Sequence, residues 1–289
     1  MRIAVVGARG QLGAAIVHEF EQAHEAIAFS RAELDASDDL AVAAAMDRVR
    51  PEAIVNAAAW TDVDKAEDHP VDALNANAFA VRALARAAQR HRATLVHYSS
   101  DFVFDGRASA PYTEEARPNP RSVYAASKLL GEWFALEAPR AYVLRVESVF
   151  GRAPNGPESR GSVASILNAL LAGRSPKVFA DRTISPTYLL DASRATRQLI
   201  ETGAPAGLYH CVNSGSCTWL EFGEELARQL GVEPTLTPVR MSEVALRAER
   251  PQYCALSNAK LVSLGIEMPS WQDALQRHLR TLPAQRALH

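Results

Sequence analysis

The first 20 residues combine a strand, a glycine-rich turn and a helix, and no other feature constrains the fold as strongly. Arg2–Val6 is a largely apolar run of strand length, and Leu12, Ile16 and Phe20 follow at helical spacing. The turn between them reads Gly7-Ala8-Arg9-Gly10-Gln11-Leu12-Gly13. Glycines in this setting let the backbone approach a diphosphate at the helix N-terminus. The spacing is GxxGxxG rather than GxGxxG; a turn without a ligand is the alternative to a dinucleotide site.

The end of the second predicted strand indicates which nicotinamide dinucleotide such a fold would bind. An NAD site usually places an acidic residue there, but Ala26–Phe29 is followed by Ser30 and Arg31, and Arg9 lies in the glycine turn. Two guanidinium groups and a hydroxyl suit a 2′-phosphate, which a carboxylate would repel. The sequence therefore favours NADPH, with NADH possible. The alternative is that both arginines are solvated surface residues.

Strands alternate with amphipathic helices through the first half of the chain, with further strands predicted at Ala53–Asn56, Thr94–Tyr98 and Ala141–Val146. This alternation predicts an α/β fold, a Rossmann-type doubly wound parallel sheet. It weakens after residue 150. We therefore predict a dinucleotide-binding domain at 1–150 plus about 176–203, and a smaller C-terminal α/β substrate-binding lobe at 151–175 and 204–289.

A tyrosine and a lysine four residues apart supply the chemistry that such a domain would use. A helix predicted from residue 123 to 136 places Tyr124 and Lys128 one turn apart on the same face. The lysine charge would lower the pKa of the phenol, so that it could exchange a proton at neutral pH. Ser100, at the end of a predicted strand, could hold a carbonyl against it. A surface helix pair is the alternative.

Composition argues against several other classes of protein. The formal charge is −2, which gives no electrostatic case for binding nucleic acid or an anionic membrane. No apolar run approaches the ~18 residues of a membrane span. Cys211, Cys217 and Cys254 are odd in number and form no CxxC motif, so we expect reduced thiols and a cytoplasmic location.

These residues together resemble the extended short-chain dehydrogenase/reductase superfamily, and within it the dTDP-4-dehydrorhamnose reductase (sugar-nucleotide 4-ketoreductase) family. The resemblance covers nearly the whole chain. It is carried by Gly10–Gly13, 56–67, 97–106, Gly207-Leu208-Tyr209-His210, Thr218-Trp219, Arg250-Pro251 and Pro269-Ser270-Trp271-Gln272.

The resemblance implies roles at matching positions. Tyr124 matches the catalytic proton donor, Lys128 the residue that tunes it and holds the nicotinamide ribose, and Ser100 the hydroxyl that polarises the keto group. The predicted substrate contacts are Ser100, Asp101, Phe102 and Ser148. The predicted cofactor contacts are Gly7, Arg9, Gly10, Gln11, Leu12, Gly13, Ser30, Arg31, Asp35, Ala36, Ala58, Ala59, Trp60, Thr61, Tyr98 and Lys128.

The chain departs from the family pattern at two places. The family commonly reads Arg-Thr-Ser-Trp-Val-Tyr-Gly where this chain has 145–151, so Ser148 replaces a tryptophan that packs against the sugar. Some relatives bridge a dimer through magnesium, using a glutamate at the position of Ala15, so no metal is expected here. The expected binding partner is a nucleotide-sugar substrate, and the expected oligomeric state is a monomer or homodimer.

Two other functions are compatible with the fold. A sugar-nucleotide dehydratase or epimerase belongs to the same superfamily, but a 4,6-dehydratase typically has an Asp-Glu pair where Asp101 is followed by Phe102. A non-catalytic regulatory subunit that binds a sugar nucleotide is the other alternative.

Overall fold

The computed structural model describes residues 1–282 and is built around a six-stranded parallel sheet with the order β10-β5-β4-β3-β1-β2. These strands are β1 (Arg2–Val6), β2 (Glu25–Phe29), β3 (Ala53–Asn56), β4 (Thr94–Ser100), β5 (Ala141–Val146) and β10 (Gly207–His210). The short strands are β6 (Val149–Phe150), β7 (Lys177–Phe179), β8 (Thr183–Ile184), β9 (Thr187–Tyr188), β11 (Cys217–Thr218) and β12 (Thr237–Val239).

Helices flank this sheet and form much of the C-terminal part. The first six are α1 (Gln11–Phe20), α2 (Asp39–Val49), α3 (Val63–Asp68), α4 (Pro70–Leu74), α5 (Ala80–His91) and α6 (Val123–Ala135). The later ones are α7 (Ser162–Leu171), α8 (Leu189–Thr202), α9 (Trp219–Leu230), α10 (Ala259–Ser263) and α11 (Trp271–Arg280). A π-helix spans Asn75–Phe79, and 3-10 turns span Asp101–Val103 and Met241–Glu243.

Both faces of the sheet are covered, which explains why its strands are nearly continuous apolar runs. On one face, Ile16 and Phe20 of α1 pack in one apolar cluster with Leu199 of α8. On the other face, Met46 of α2 and Leu84 of α5 form a second cluster. The predicted α/β Rossmann-type fold is confirmed.

The C-terminal part has its own apolar cluster, which includes Phe150, Trp219, Phe222 and Trp271. Its strands are two or three residues long and pair in three separate two-stranded sheets, so the alternation weakens where the sequence predicts.

The boundaries of the predicted lobes need one correction. The lobe assigned to 204–289 supplies β10, which pairs with β5 in the main sheet, so its first residues belong to the dinucleotide-binding side. In the segment 176–203, α8 packs on α1, whereas β7 pairs with β12 outside the main sheet. The division into a cofactor domain and a substrate lobe stays a prediction, and residues 283–289 lie outside the described ones.

Two further features bear on the sequence-based expectations. Among residues 1–282, no helix is long and apolar enough to cross a membrane. The three cysteines are buried free thiols.

Candidate active site

A cleft of about 820 Å³ lies at the carboxyl ends of the parallel strands, where ligands of such sheets bind. It brings together all three predicted catalytic residues, which come from two elements: Ser100 ends β4, and Tyr124 and Lys128 lie on α6. The other predicted residues that line it are Arg9, Gly10, Gln11, Leu12, Ala59, Thr61, Tyr98, Asp101, Phe102 and Ser148.

The remaining predicted cofactor residues do not line this cleft; they are Gly7, Gly13, Ser30, Arg31, Asp35, Ala36, Ala58 and Trp60. Gly7 and Gly13 shape the turn instead. A Cβ on Gly13 would lie 2.1 Å from the carbonyl oxygen of Gly7, and a Cβ on Gly7 would lie 2.6 Å from the amide nitrogen of Ala58. The glycine turn and the loop after β3 therefore touch backbone to backbone.

Tyr124 lies in the first turn of α6, which the hydroxyl of Ser122 caps by accepting from the amide of Ala125 at 3.2 Å. Its ring is buried and meets the Phe102 ring edge-on, with 5.4 Å between centroids. Burial raises the pKa of the phenol to about 12, the Ser100 hydroxyl lowers it, and the charge of Asp101 raises it.

The expectation that Lys128 lowers the pKa of this phenol is therefore wrong for this structure. The ammonium of Lys128 donates to the carbonyl oxygen of Tyr98 at 2.6 Å, and burial lowers the pKa of Lys128 to about 8. Desolvation is the largest effect on the pKa of each group; it outweighs the Ser100 hydrogen bond at Tyr124 and the charge of Glu132 at Lys128. The Tyr98 phenol contacts the Thr196 hydroxyl within the protein, so Tyr98 contributes its backbone to the lysine.

Asn77 fixes the loop that follows β3, and the sequence analysis missed it. It is fully buried in the π-helix, accepts from the Trp60 amide at 2.8 Å, and donates to the Trp60 carbonyl and the Ser127 hydroxyl, both at 3.0 Å. A Cβ on Gly131 of α6 would lie 2.2 Å from the Asn77 carbonyl oxygen. The π-helix thus joins the predicted cofactor loop to the tyrosine helix.

The end of β2 also holds a residue that the sequence analysis missed. The Glu33 carboxylate accepts from the Ser30 amide at 2.8 Å. Hydrogen bonding at Ser30 and the charge of Arg9 lower the pKa of Glu33. An acidic group therefore lies beside two of the residues predicted to bind a 2′-phosphate. Asp35 is engaged locally, because it accepts from the amide and hydroxyl of Ser37.

Two ion pairs join α3 to the segment after residue 240 at the edge of the cleft. Arg250, which lines the cleft, donates to both carboxylate oxygens of Asp64 at 2.9 and 2.7 Å, and this contact lowers the pKa of Asp64 to about 2. Arg247 donates to Asp68 at 2.8 Å.

A second polar group lies beside the predicted trio, and only one of its members, Asp101, was predicted as a site residue. The others are Glu147, Arg182 and Cys254, which come from distant parts of the chain. Burial raises the pKa of both carboxyl groups, and the charge of Asp101 raises that of Glu147 further. Glu147 lies in the segment 145–151, which departs from the family pattern. That departure was the sequence feature that could have pointed to this group.

The predicted family was tested by comparison with known proteins. The model of the RmlD substrate binding domain matches residues 1–283. A dTDP-4-dehydrorhamnose reductase of Streptomyces griseus is 33% identical, with 94% of this chain and 90% of that protein covered. A probable dTDP-4,6-dihydroxy-2-methyloxan-3-one 4-ketoreductase of Streptomyces antibioticus is 34% identical, with 96% and 94% covered.

Solved structures agree with this assignment. The crystal structure of dTDP-4-dehydrorhamnose reductase from Bacillus anthracis, in complex with NADP, superposes with a TM-score of 0.90. It is 32% identical, with 97% of this chain and 99% of that chain covered. The predicted family and the predicted oxidoreductase class agree with these names. The chain belongs to the RmlD substrate binding domain family.

Proposed function

We propose that this protein reduces the 4-keto group of a nucleotide-linked deoxysugar, as a dTDP-4-dehydrorhamnose reductase does, with NADPH as the hydride donor. The observation that carries the proposal is the convergence of Ser100, Tyr124 and Lys128 with the glycine turn in one cleft. The reductases among the relatives and the NADP in the Bacillus anthracis structure support the reaction and the cofactor.

The residues present fit a nicotinamide dinucleotide phosphate. The turn closes by backbone contacts that a Cβ would disrupt, and Arg9, Gly10 and Gln11 at its tip line the cleft. Lys128 would donate to the nicotinamide ribose, and Arg9 would meet the 2′-phosphate. NADPH, when bound, supplies the hydride.

The side chains of the cleft handle the proton and the developing charge. Tyr124 would donate a hydrogen bond to the keto oxygen, which becomes an alkoxide as the carbon accepts the hydride. The Ser100 hydroxyl donates to Asp101 in the structure and would turn from it to add a second hydrogen bond to the keto oxygen. The O–H bond of Tyr124 breaks, and its proton forms the O–H bond of the product alcohol. Lys128 would hold the nicotinamide ribose beside Tyr124 while this proton is transferred.

Removal of the phenol tests this function. Tyr124→Phe should bind NADPH with unchanged affinity, because the phenol contacts the substrate rather than the phosphates. Turnover of a 4-keto sugar nucleotide should fall by at least ~10²-fold, since a positioned acid contributes ~10²–10⁴-fold. NADPH oxidation at the rate of the unmodified protein would disprove the assignment, as would NADPH binding without oxidation across a panel of 4-keto sugar nucleotides.

The cytoplasmic location, the monomer or homodimer, and the lack of a nucleic-acid partner stay predictions. Size-exclusion chromatography with light scattering, with and without NADPH, would determine the oligomeric state.

A further inference from the structure

Four buried polar atoms on residues that line the cleft have no hydrogen-bond partner among the described residues: the hydroxyl oxygen of Ser99 and three atoms of ionisable side chains. The three ionisable ones are considered together. They are Oε1 of Glu147, Oδ2 of Asp101 and Nε of Arg182. All three residues line the cleft, and their exposed fractions are 2%, 2% and 8%. Leaving such a group unsatisfied costs about 1–3 kcal/mol, and more when the group is charged. Three unsatisfied atoms in one place therefore indicate a site that a ligand completes.

The rest of each side chain is held firmly, so the unsatisfied atoms are positioned rather than free. Oε2 of Glu147 accepts from the amide of Ser185, and Oδ1 of Asp101 accepts from Ser100 at 2.8 Å. The guanidinium of Arg182 lies over the Phe102 ring at 5.3 Å. Each residue thus presents its unsatisfied atom from a fixed side chain.

The mixture of groups indicates the chemistry of the ligand. Asp101, Glu147 and Cys254 lie within 4.8 Å of one another, but the charge of Arg182 acts on all three, and burial raises the pKa of the Cys254 thiol. A guanidinium and a protonated thiol disfavour a metal cation. An ionised carboxyl group accepts, a protonated one also donates, and Nε of Arg182 donates, so the matching group both donates and accepts. A hydroxyl does both, an ammonium only donates, and a methylene does neither.

The position of the cluster indicates which hydroxyl it would meet. Asp101 directly follows Ser100, the residue assigned to the keto oxygen, and the two side chains share a hydrogen bond. A group bound at the unsatisfied atoms is therefore a close neighbour of the ketone. Ser148, next to Glu147, has a φ of +43°, a strained backbone conformation that is concentrated at functional sites.

We propose that Glu147 and Arg182, together with Asp101, form a subsite for a hydroxyl on the sugar carbon next to the ketone, and that this subsite makes the protein select hydroxylated over deoxygenated sugars at that carbon. The inference rests on the proposed reduction. It names Glu147 and Arg182 as specificity-determining residues.

A matched pair of substrates tests the subsite: a 4-keto-6-deoxy sugar nucleotide and its analogue that lacks the 3-hydroxyl. The unmodified protein should prefer the hydroxylated substrate by at least ~10²-fold in kcat/KM, because a site built to hydrogen-bond a hydroxyl rejects the analogue without it. Glu147→Gln can still accept from the Ser185 amide. It should lower the preference at least ~10-fold by slowing the hydroxylated substrate alone.

The control is Glu158→Gln, which removes a carboxylate of an exposed ion pair with Arg152 and should leave the preference unchanged. An equal loss with both substrates in Glu147→Gln would show a structural role and overturn the subsite. If the unmodified protein oxidises NADPH with neither substrate, the proposed reduction fails. The ratio of the two Kd values, measured by calorimetry for both proteins, then decides the subsite alone: an unchanged ratio overturns it.

Discussion

The cleft holds two polar centres side by side, and they are built in opposite ways. The tyrosine centre takes Tyr124 and Lys128 from one helix, four residues apart, and adds one hydroxyl from a strand end. The acidic centre draws Asp101, Glu147, Arg182 and Cys254 from four separate segments. The first is suited to the proposed proton transfer to the ketone, and the second to the proposed choice among substrates.

The largest expected effect is on the tyrosine centre. Ser100→Ala removes one of two donors to the keto oxygen, and loss of such a donor costs ~10²–10³-fold in kcat. Both substrates of the matched pair should slow, since the ketone is common to both, and the hydroxylated one should slow at least as much because Ser100 also donates to Asp101 of the subsite. If Ser100→Ala slowed only the hydroxylated substrate, the two centres would not have separate roles.

Lys128→Met should lower turnover strongly and abolish a pH dependence. The pKa of Lys128 is lowered to about 8, so the ammonium is present below this pH and is lost as the pH rises through it. In the unmodified protein, kcat/KM should therefore fall on the alkaline side of pH 8, and the variant should lack that limb. If the alkaline fall in kcat/KM persists unchanged in Lys128→Met, a group other than Lys128 causes it.

The same variant should be more stable. The pKa of Lys128 is lower in the folded protein than its ordinary value of 10.5, so the charged lysine destabilises the fold below pH 8, and stability rises as the pH rises from 8 towards 10.5. Lys128→Met should raise Tm by a few degrees at pH 7 without cofactor, measured by calorimetry. A lower Tm would mean that the bond to the Tyr98 carbonyl outweighs desolvation.

A smaller effect is expected at Glu33. Its carboxylate lies beside Ser30 and Arg9, where it opposes a 2′-phosphate. Glu33→Gln should increase the ratio of kcat/KM for NADPH over NADH by about 2–10-fold, since the carboxylate is exposed and screened. Arg9→Ala should lower the same ratio. Equal ratios in the unmodified protein and in both variants would show that Glu33 and Arg9 do not determine the preference for NADPH over NADH.

The sequence analysis predicted the parts whose signals are local. The glycine turn of 7–13, the strand ending at Ser100 and the helix bearing Tyr124 and Lys128 each have a spacing that one stretch of chain contains. Their convergence follows from the rule that parallel strands end at one edge.

The parts that were missed depend on contacts between distant residues. Asn77 is an ordinary residue in an alanine-rich stretch, and only its partners Trp60 and Ser127 reveal its role. The pKa direction for Tyr124 was wrong because spacing gives proximity but not desolvation. The pairing of Gly207–His210 with β5 in the main sheet was not foreseen, because the order of strands in a sheet cannot be read from their position in the chain.

The ion pairs between α3 and the C-terminal segment give the mouth of the cleft a particular property. Asp64 with Arg250, and Asp68 with Arg247, hold α3 against the segment after residue 240 through ion pairs. The attraction within exposed ion pairs weakens as the salt concentration rises, because dissolved ions screen the charges. The attraction across the mouth of the cleft is therefore expected to weaken as the ionic strength rises, whereas the buried groups deeper in the cleft are screened much less.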